Sequence, residues 1–254
     1  MDLQNIFNKC TVDGSVVKLP NIQLERDTYN EVKKQFEAAG GKWNRGKQGF
    51  LFKSDEFAQN AIDKLNSGTD TVAIKKDTQF YATPDGIADK LAEKLFLGFS
   101  DDKIKNFTVL EPSAGQGALI KAVHRKYPDL KVDCFEIQEE NCNVLSKFPN
   151  VRLLGRDFLE ASGRNQYDLI IANPPFSKNQ DIKHFNHMLD FLKPGGRIAC
   201  ITSPHWTFAK DNLSKEFKAF VDSHTVDYEE LPQGAFKESG TNFRTVMITY
   251  HDDN

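Results

Sequence analysis

The chain lacks any apolar run approaching the roughly 18 residues that a membrane-spanning helix needs, which excludes a spanning protein. Its opening, MDLQNIFNKC, has no basic cap ahead of an apolar stretch, so no secretory signal is expected. Cysteine is scarce. Cys10, Cys134, Cys142 and Cys200 are the four, and no two are spaced C-x-x-C. Cys134 and Cys200 fall in strand-like runs, so the expectation is buried free thiols in a reducing cytoplasm, not a disulfide framework. There is no H-E-x-x-H motif and no aspartate cluster, so no metal is expected. A large excess of charge is also missing. The net charge of −3 excludes a highly basic coat protein but leaves room for a local basic patch on a nucleic-acid enzyme. Internal repeats and low-complexity tracts are absent. With 39% hydrophobic and 27% charged residues, the 254-residue chain can bury a sizeable core.

The first ~70 residues read as a small β/α module of their own. Tyr29, Val32 and Phe36 have helix spacing over Thr28–Ala39, and Gly40-Gly41 ends the run. KWNRGKQGFLF (Lys42–Phe52) predicts a hairpin turning near Arg45-Gly46. Ser54 predicts the N-cap of a second helix reaching about Leu65, with Asn66-Ser67-Gly68 as its stop. Basic and acidic residues balance over 1–70 but are unevenly spread. Lys33, Lys34, Lys42, Arg45, Lys47 and Lys53 face only Glu37 within their stretch, with Trp43, Phe50 and Phe52 among them. Such a mixture suits phosphate attraction and base stacking, and makes Lys42, Arg45 and Lys47 candidates for substrate contact. A solvated charged face over a small aromatic core is the competing reading.

From residue 71 to 254 short apolar runs alternate with helical spacing. The runs are Phe107–Leu110, Val132–Ile137, Val151–Leu154, Tyr167–Ala172, Arg197–Thr202 and Arg244–Tyr250. Helical stretches include Gly86–Leu97, Ala118–Lys126 and Asp181–Leu192. That alternation predicts an α/β, Rossmann-like, mostly parallel sheet with helices on both faces. Ligands in such sheets sit beyond the carboxyl ends of the strands, at the switch point.

Three stretches fall where that rule places chemistry. Glu111-Pro112-Ser113-Ala114-Gly115-Gln116-Gly117 follows a strand and opens a helix, where glycines allow a sharp turn and close approach to a ligand. A third fingerprint glycine would fall at Ile120, and its absence argues against a pyrophosphate. Glu136 ends the next strand about 20 residues on, where an acid accepts from ribose hydroxyls. Asp157-Phe158 follows another strand; Asp157 suits an adenine amino group or, equally, a helix N-cap, and Phe158 would pack on the ring. Asn173-Pro174-Pro175-Phe176 follows YDLIIA directly. The prolines stop the strand and hold carbonyls free and rigid. The Asn173 amide oxygen and the Pro174 carbonyl can then converge on one amino group, and Phe176 can stack on a planar ring.

On these motifs, residues 80–250 resemble the adenine-specific amino-methyltransferases that use S-adenosyl-L-methionine, in the gamma order in which the cofactor-closing segment comes first. FYATP (Phe80–Pro84) resembles that segment, LKPGGRIACITS the fifth strand, and LPQGAFKESGTNFRTVMITY (231–250) the closing hairpin. The resemblance implies a class I methyltransferase with a seven-stranded sheet. It implies that Tyr81, Thr83 and Pro84 touch the methionine end of the cofactor, and that Glu111, Pro112, Ser113, Ala114, Gly115 and Gly117 line its cleft. Glu136 and Ile137 would hold ribose and adenine, Asp157 and Phe158 the cofactor's adenine, and Asn173, Pro174, Pro175 and Phe176 the target base. Asn173 also borders the cofactor. Trp206 and Phe236 are candidates for a second stacking wall, with core packing as the competing reading. The implied reaction is methyl transfer to the N6 amine of adenine in flipped-out DNA, with a restriction endonuclease as a possible partner. Ribosomal RNA or a protein glutamine as acceptor, and a non-catalytic nucleic-acid binder, are the alternatives.

Overall fold

The computed structural model describes residues 2–69, 71, 82–237 and 244–253. The chain divides into two compact units, Met1–Gln79 and Phe80–Asn254.

In the first unit a short helix α1 (Leu3–Phe7) precedes strands β1 (Thr11–Asp13) and β2 (Val16–Lys18). Helix α2 (Arg26–Ala38) follows, then β3 (Lys42–Asn44), β4 (Gly49–Leu51) and helix α3 (Asp55–Asn66). The four strands form an antiparallel sheet in the order β1-β2-β4-β3. Ser54 caps α3 by accepting from the Phe57 N–H at 3.4 Å. Asn44 Oδ1 accepts from the Lys47 N–H at 2.9 Å and closes the β3–β4 turn. The core is aromatic: Phe36 and Phe50 stack at 4.7 Å, with Phe7 edge-on to Phe36 at 5.6 Å. Helix α1 and the β1–β2 hairpin carry too few residues for any periodicity to emerge from the sequence.

The second unit begins with helices α4 (Asp85–Phe96) and α5 (Asp101–Ile104), then β5 (Val109–Glu111), α6 (Ala118–Lys126), β6 (Val132–Phe135), α7 (Glu139–Leu145) and β7 (Val151–Gly155). After it come β8 (Tyr167–Ala172), α8 (Gln180–Phe191), β9 (Leu192–Thr202), α9 (Asn212–Ser223), β10 (Val226–Glu230) and β11 (Val246–His251). These strands make one seven-stranded sheet in the order β10-β11-β9-β8-β5-β6-β7. Strands β7, β6, β5, β8 and β9 pair in parallel, while β11 is antiparallel to both β9 and β10.

Each central strand feeds two cores. On β8, Leu169 and Ile171 join one apolar cluster and Ile170 and Ala172 the other; on β9, Ala199 and Ile201 alternate likewise with Ile198 and Cys200. Helices α4 and α6 cover the first cluster through Leu91, Leu95, Ile120 and Val123. Helices α8 and α9 cover the second through Phe185, Met188, Phe217 and Val221. This is the two-faced sheet that the alternation predicts.

The closing hairpin differs from its sequence assignment. Its strands are Val226–Glu230 and Val246–His251, so most of 231–250 connects them. The first strand, VDYEE, is a polar edge strand, which hides it from a search for apolar runs.

The chain lays β5, β6 and β7 outward in one direction, then returns to place β8 on the other side of β5. The switch point therefore lies between the carboxyl ends of β5 and β8.

Candidate active site

Glu111 ends β5 and is only 1% exposed. Neither of its carboxylate oxygens finds a hydrogen-bond partner, and the Ser113 hydroxyl beside it is equally unpaired. Burial pushes the Glu111 carboxyl well above the usual range and the nearby Glu136 charge adds to the rise, while the Ser113 N–H and hydroxyl, close by but outside hydrogen-bond geometry, pull the other way.

The loop that follows is held by its backbone. Ala114 donates its N–H to the Phe135 carbonyl at 2.9 Å, pinning the loop to the end of β6. Gly115 donates to Glu136 Oε2 at 2.6 Å. Gly117 has φ +76°, and a Cβ there would stand 2.5 Å from the Phe148 ring, so the helix can begin there only with glycine. Ile120 is fully buried in the core.

Glu136 binds more of the protein than its sequence position suggests. Besides Gly115, its Oε1 accepts from the Gln138 N–H at 2.7 Å and from Asn141 Nδ2 at 3.2 Å. It therefore ties the glycine loop to the start of α7. Next to it, Ile137 is an exposed apolar side chain, 57% open.

Asp157 caps the short turn after β7, accepting from the Leu159 N–H at 2.9 Å. Phe158 departs from its expected role. It is 1% exposed and wedged among Phe135, His187 and Phe191, with ring centroids at 5.5, 4.7 and 5.0 Å, so its side chain is core and offers no face to an adenine.

At the end of β8, Asn173, Pro175 and Phe176 are half-buried and Pro174 is buried. Asn173 Nδ2 donates to Thr83 Oγ1 at 2.9 Å. Its carboxamide oxygen is buried and has no partner. Phe176 rests against the apolar cluster of α4 and α6. Thr83 is buried and Pro84 opens α4. Tyr81 lies outside the described residues.

Trp206 and Phe236 require correction as base-stacking walls. Trp206 is 2% exposed, packs edge-on against Phe217 at 5.4 Å and donates to Thr202 Oγ1 at 3.2 Å; Phe236 is 1% exposed within the core. An aromatic that the sequence reading passes over is Phe208, 69% exposed in the segment after β9. Strands β8 and β9 are parallel, so this segment leaves the same sheet edge as Asn173. Two side chains tie it to the stretch after Phe176. Asp181 Oδ2 accepts from the Ser203 N–H and hydroxyl, both at 2.8 Å, and Asn179 Nδ2 donates to Asp211 Oδ1 at 3.1 Å. Buried Trp206 and exposed Phe208 are two residues apart, and only the packing distinguishes them.

Lys42, Arg45 and Lys47 are exposed on the β3–β4 hairpin of the first unit. Trp43 is 40% exposed beside them and meets Phe50 edge-on at 5.2 Å. Three of the cysteines are buried, and burial pushes the Cys134 thiol up to about 12. Among the described residues no group of side chains is arranged to hold a metal, and no helix is long and apolar enough to cross a membrane.

A mostly parallel sheet in this order, with a glycine turn after β5, an acid after β6 and an Asn-Pro-Pro-Phe turn after β8, defines the class I methyltransferase fold. A methyltransferase subunit of a type I restriction-modification system from Streptococcus thermophilus shares it, with a TM-score of 0.57 and 17% identity over 79% of this chain and 54% of that one. So does a class I S-adenosylmethionine-dependent methyltransferase fold from Listeria monocytogenes, with a TM-score of 0.54 and 14% identity over 89% and 80%. Residues 88–227 match the family model of the methyltransferase small domain, and the chain belongs to that family. Among curated relatives, the type II methyltransferase M.AccI of Acinetobacter calcoaceticus is 31% identical over 137 residues. The match covers 52% of this chain and 24% of that protein. Malonyl-[acyl-carrier protein] O-methyltransferase 2 of Ilyobacter polytropus is 32% identical over 126 residues, 48% of this chain and 46% of that protein. The chain thus spans a quarter to a half of the curated relatives it matches.

The cofactor is S-adenosyl-L-methionine, and the residues present suit it. It carries an ammonium and a sulfonium, and the turn after β5 offers an unpaired carboxylate in Glu111 and an unpaired hydroxyl in Ser113. The glycine turn brings backbone close without side chains, and Ile137 offers an apolar surface.

Proposed function

We propose that the chain transfers a methyl group from S-adenosyl-L-methionine to the exocyclic N6 amine of adenine in DNA, with the target base turned out of the helix. The observation that carries this reading is the buried, unpartnered oxygen of Asn173, set on a proline-stiffened turn at the sheet's switch point. A buried acceptor left unpaired costs about 1–3 kcal/mol, a cost that an incoming N–H donor removes.

The cofactor supplies an activated methyl group on sulfur. The difficulty lies with the acceptor amine, whose lone pair is delocalised into the ring. Hydrogen bonds from its two N–H groups to the Asn173 oxygen and the Pro174 carbonyl favour a pyramidal nitrogen. They also stabilise the positive charge that develops there, as an oxyanion hole does for negative charge. No base need remove a proton beforehand, because the product ammonium is strongly acidic. Holding amine and methyl in line supplies on the order of 7–11 kcal/mol. Extruding the base costs a few kcal/mol, and stacking on Phe176 returns about 1–3 kcal/mol.

DNA is favoured as acceptor by the likeness to M.AccI, a type II methyltransferase; the Asn-Pro-Pro-Phe turn suits an NH₂ group, whether of a nucleobase or a glutamine, and not a carboxylate. The O-methyltransferase relative is of comparable identity, so identity at this level does not choose the acceptor. On the first unit, Lys42, Arg45 and Lys47 around the half-open Trp43 form a surface suited to phosphates and bases. A restriction endonuclease working on the same site is the partner this reading suggests. The test is incorporation of labelled methyl groups from the cofactor into DNA, ribosomal RNA or protein, followed by single-molecule sequencing of DNA from expressing cells. Label in DNA, read as N6-methyladenine in one sequence context, is the expected result. Label only in RNA or protein would overturn the DNA assignment.

A further inference from the structure

Asn173 has two faces to its carboxamide, and only one of them can accept a hydrogen bond. An amide rotated by half a turn would present its NH₂ to an incoming amine, donor against donor. Something must therefore hold the rotation. The prolines that follow fix the backbone and leave the side-chain torsion free. The described structure offers one hydrogen bond to this side chain: Asn173 Nδ2 donates to Thr83 Oγ1 at 2.9 Å, bridging ninety residues of sequence. Thr83 is itself 8% exposed and sits immediately before α4, whose start at Pro84 and Asp85 is fixed by the N–H groups of Ile87 and Ala88 bonding to the Pro84 carbonyl. The hydroxyl thus stands one residue ahead of a helix start that its own backbone bonds hold. The other amide atom, Oδ1, is buried with no protein partner.

We infer that Thr83 is a positioning residue for the acceptor site: its hydroxyl holds the Asn173 amide nitrogen and so presents the amide oxygen to the incoming amine. This rests on the reading of Asn173 as the amine acceptor. It adds a duty to a residue that the resemblance assigns only to the cofactor. Without the hydroxyl, the amide nitrogen loses its protein partner and the side chain its preferred rotation.

The test is a set of single-turnover methylation rates at saturating cofactor, together with binding of an oligonucleotide carrying 2-aminopurine at the target position, whose fluorescence reports extrusion of the base. Thr83→Val should slow transfer about tenfold, the scale of one hydrogen bond. It should weaken the extrusion signal by a comparable factor. Thr83→Ser, which keeps the hydroxyl, should stay within about threefold of the wild type. The sharpest arm uses Asn173→Asp. The two oxygens of a carboxylate are equivalent, so its rotation no longer matters, and Thr83→Val should cost less than about threefold in that background. A merely structural role for Thr83 would cost the same in both backgrounds. Thr83→Val at wild-type rate, Thr83→Ser as slow as Thr83→Val, or equal losses in the two backgrounds would each overturn the inference. Should Asn173→Asp be inactive, the valine and serine variants decide by rate and fluorescence alone. Failure of the underlying reading looks different: Asn173→Ala would then transfer methyl groups as fast as the wild type.

Discussion

The two units treat buried polarity in opposite ways. In the first, the buried Gln35 and Thr71 satisfy one another: Thr71 donates its N–H to Gln35 Oε1 at 2.9 Å and its hydroxyl to the Gln35 carbonyl at 2.7 Å. In the second, Glu111, Ser113 and Asn173 carry buried oxygens without partners at the carboxyl ends of β5 and β8, and Asp181 Oδ1, Ser214 Oγ and Thr245 Oγ1 are left so elsewhere. Among the described residues no buried side-chain oxygen of the first unit is left in this state. Unpaired buried polarity is destabilising unless a ligand completes it, so three such residues gathered at the switch point make that point the candidate binding place. The first unit is complete in itself and keeps its candidate binding residues on the surface. The second keeps its candidate binding residues where those three orphaned groups gather.

The largest expected effect comes from removing the acceptor oxygen. Asn173→Ala should reduce labelled methyl incorporation by about 10²–10³-fold, the scale of losing one preorganised partner of a developing charge. Cofactor affinity, measured by titration calorimetry, should move far less. A variant that turns over like the wild type would leave the orphaned oxygen without a catalytic meaning. Next in size is Phe176→Ala, which forfeits about 1–3 kcal/mol of base stacking, or roughly 10–100-fold in transfer rate. Phe176→Tyr should remain active; a tyrosine variant as impaired as alanine would show that packing against the α4–α6 cluster, not stacking, is what the ring supplies.

Much of the second unit's fold and of the place of its site is legible in the sequence, because it follows from local chemistry. Two prolines after an apolar strand must end it, a glycine run between strand and helix must turn sharply, and β–α alternation must give a largely parallel sheet. What the sequence hides depends on tertiary packing. Phe158, Trp206 and Phe236 have the composition of stacking residues and prove to be core. Phe208 has the composition of core and proves to be exposed. An aromatic ring carries no sign of which way its backbone will aim it. Strand β10 is hidden because an acidic edge strand has no apolar run, and the orphaned oxygens are hidden because satisfaction is a property of neighbours. Helix α9 was within reach: Asp211 caps it by accepting from the Ser214 N–H at 3.0 Å, and Leu213, Phe217 and Val221 have helical spacing.

A smaller effect tests the other half of the comparison. If the first unit meets nucleic acid through its surface, replacing Lys42, Arg45 and Lys47 with alanine should leave its fold intact, since all three are exposed. DNA binding should weaken, and the slope of log K against log salt should fall by about 0.9 for each phosphate that is no longer neutralised. Trp43→Ala should weaken binding without altering that slope, because stacking releases no counterions. An unchanged salt slope in the triple variant would return the basic hairpin to an ordinary solvated surface.

The smallest effect is on stability and concerns Glu111. Burial holds its carboxyl well above the value of about 4.5 that it has when exposed. Over the window between those two values the folded chain keeps a proton that the unfolded chain has released. Stability therefore falls as pH rises through that window, and below it the group has no effect. Glutamine cannot ionise, so Glu111→Gln should be insensitive to that window. Melting temperatures measured from about pH 5 to about pH 8 should diverge, the variant ending above the wild type by about 2–4 °C for each kcal/mol of burial cost. Adding S-adenosylhomocysteine, which retains the ammonium of the cofactor, should narrow the gap by stabilising the ionised wild-type carboxylate more than the amide. Parallel pH profiles would mean that the cleft admits water to Glu111, and the contrast between a self-satisfied first unit and a ligand-dependent second would then rest on Asn173 alone.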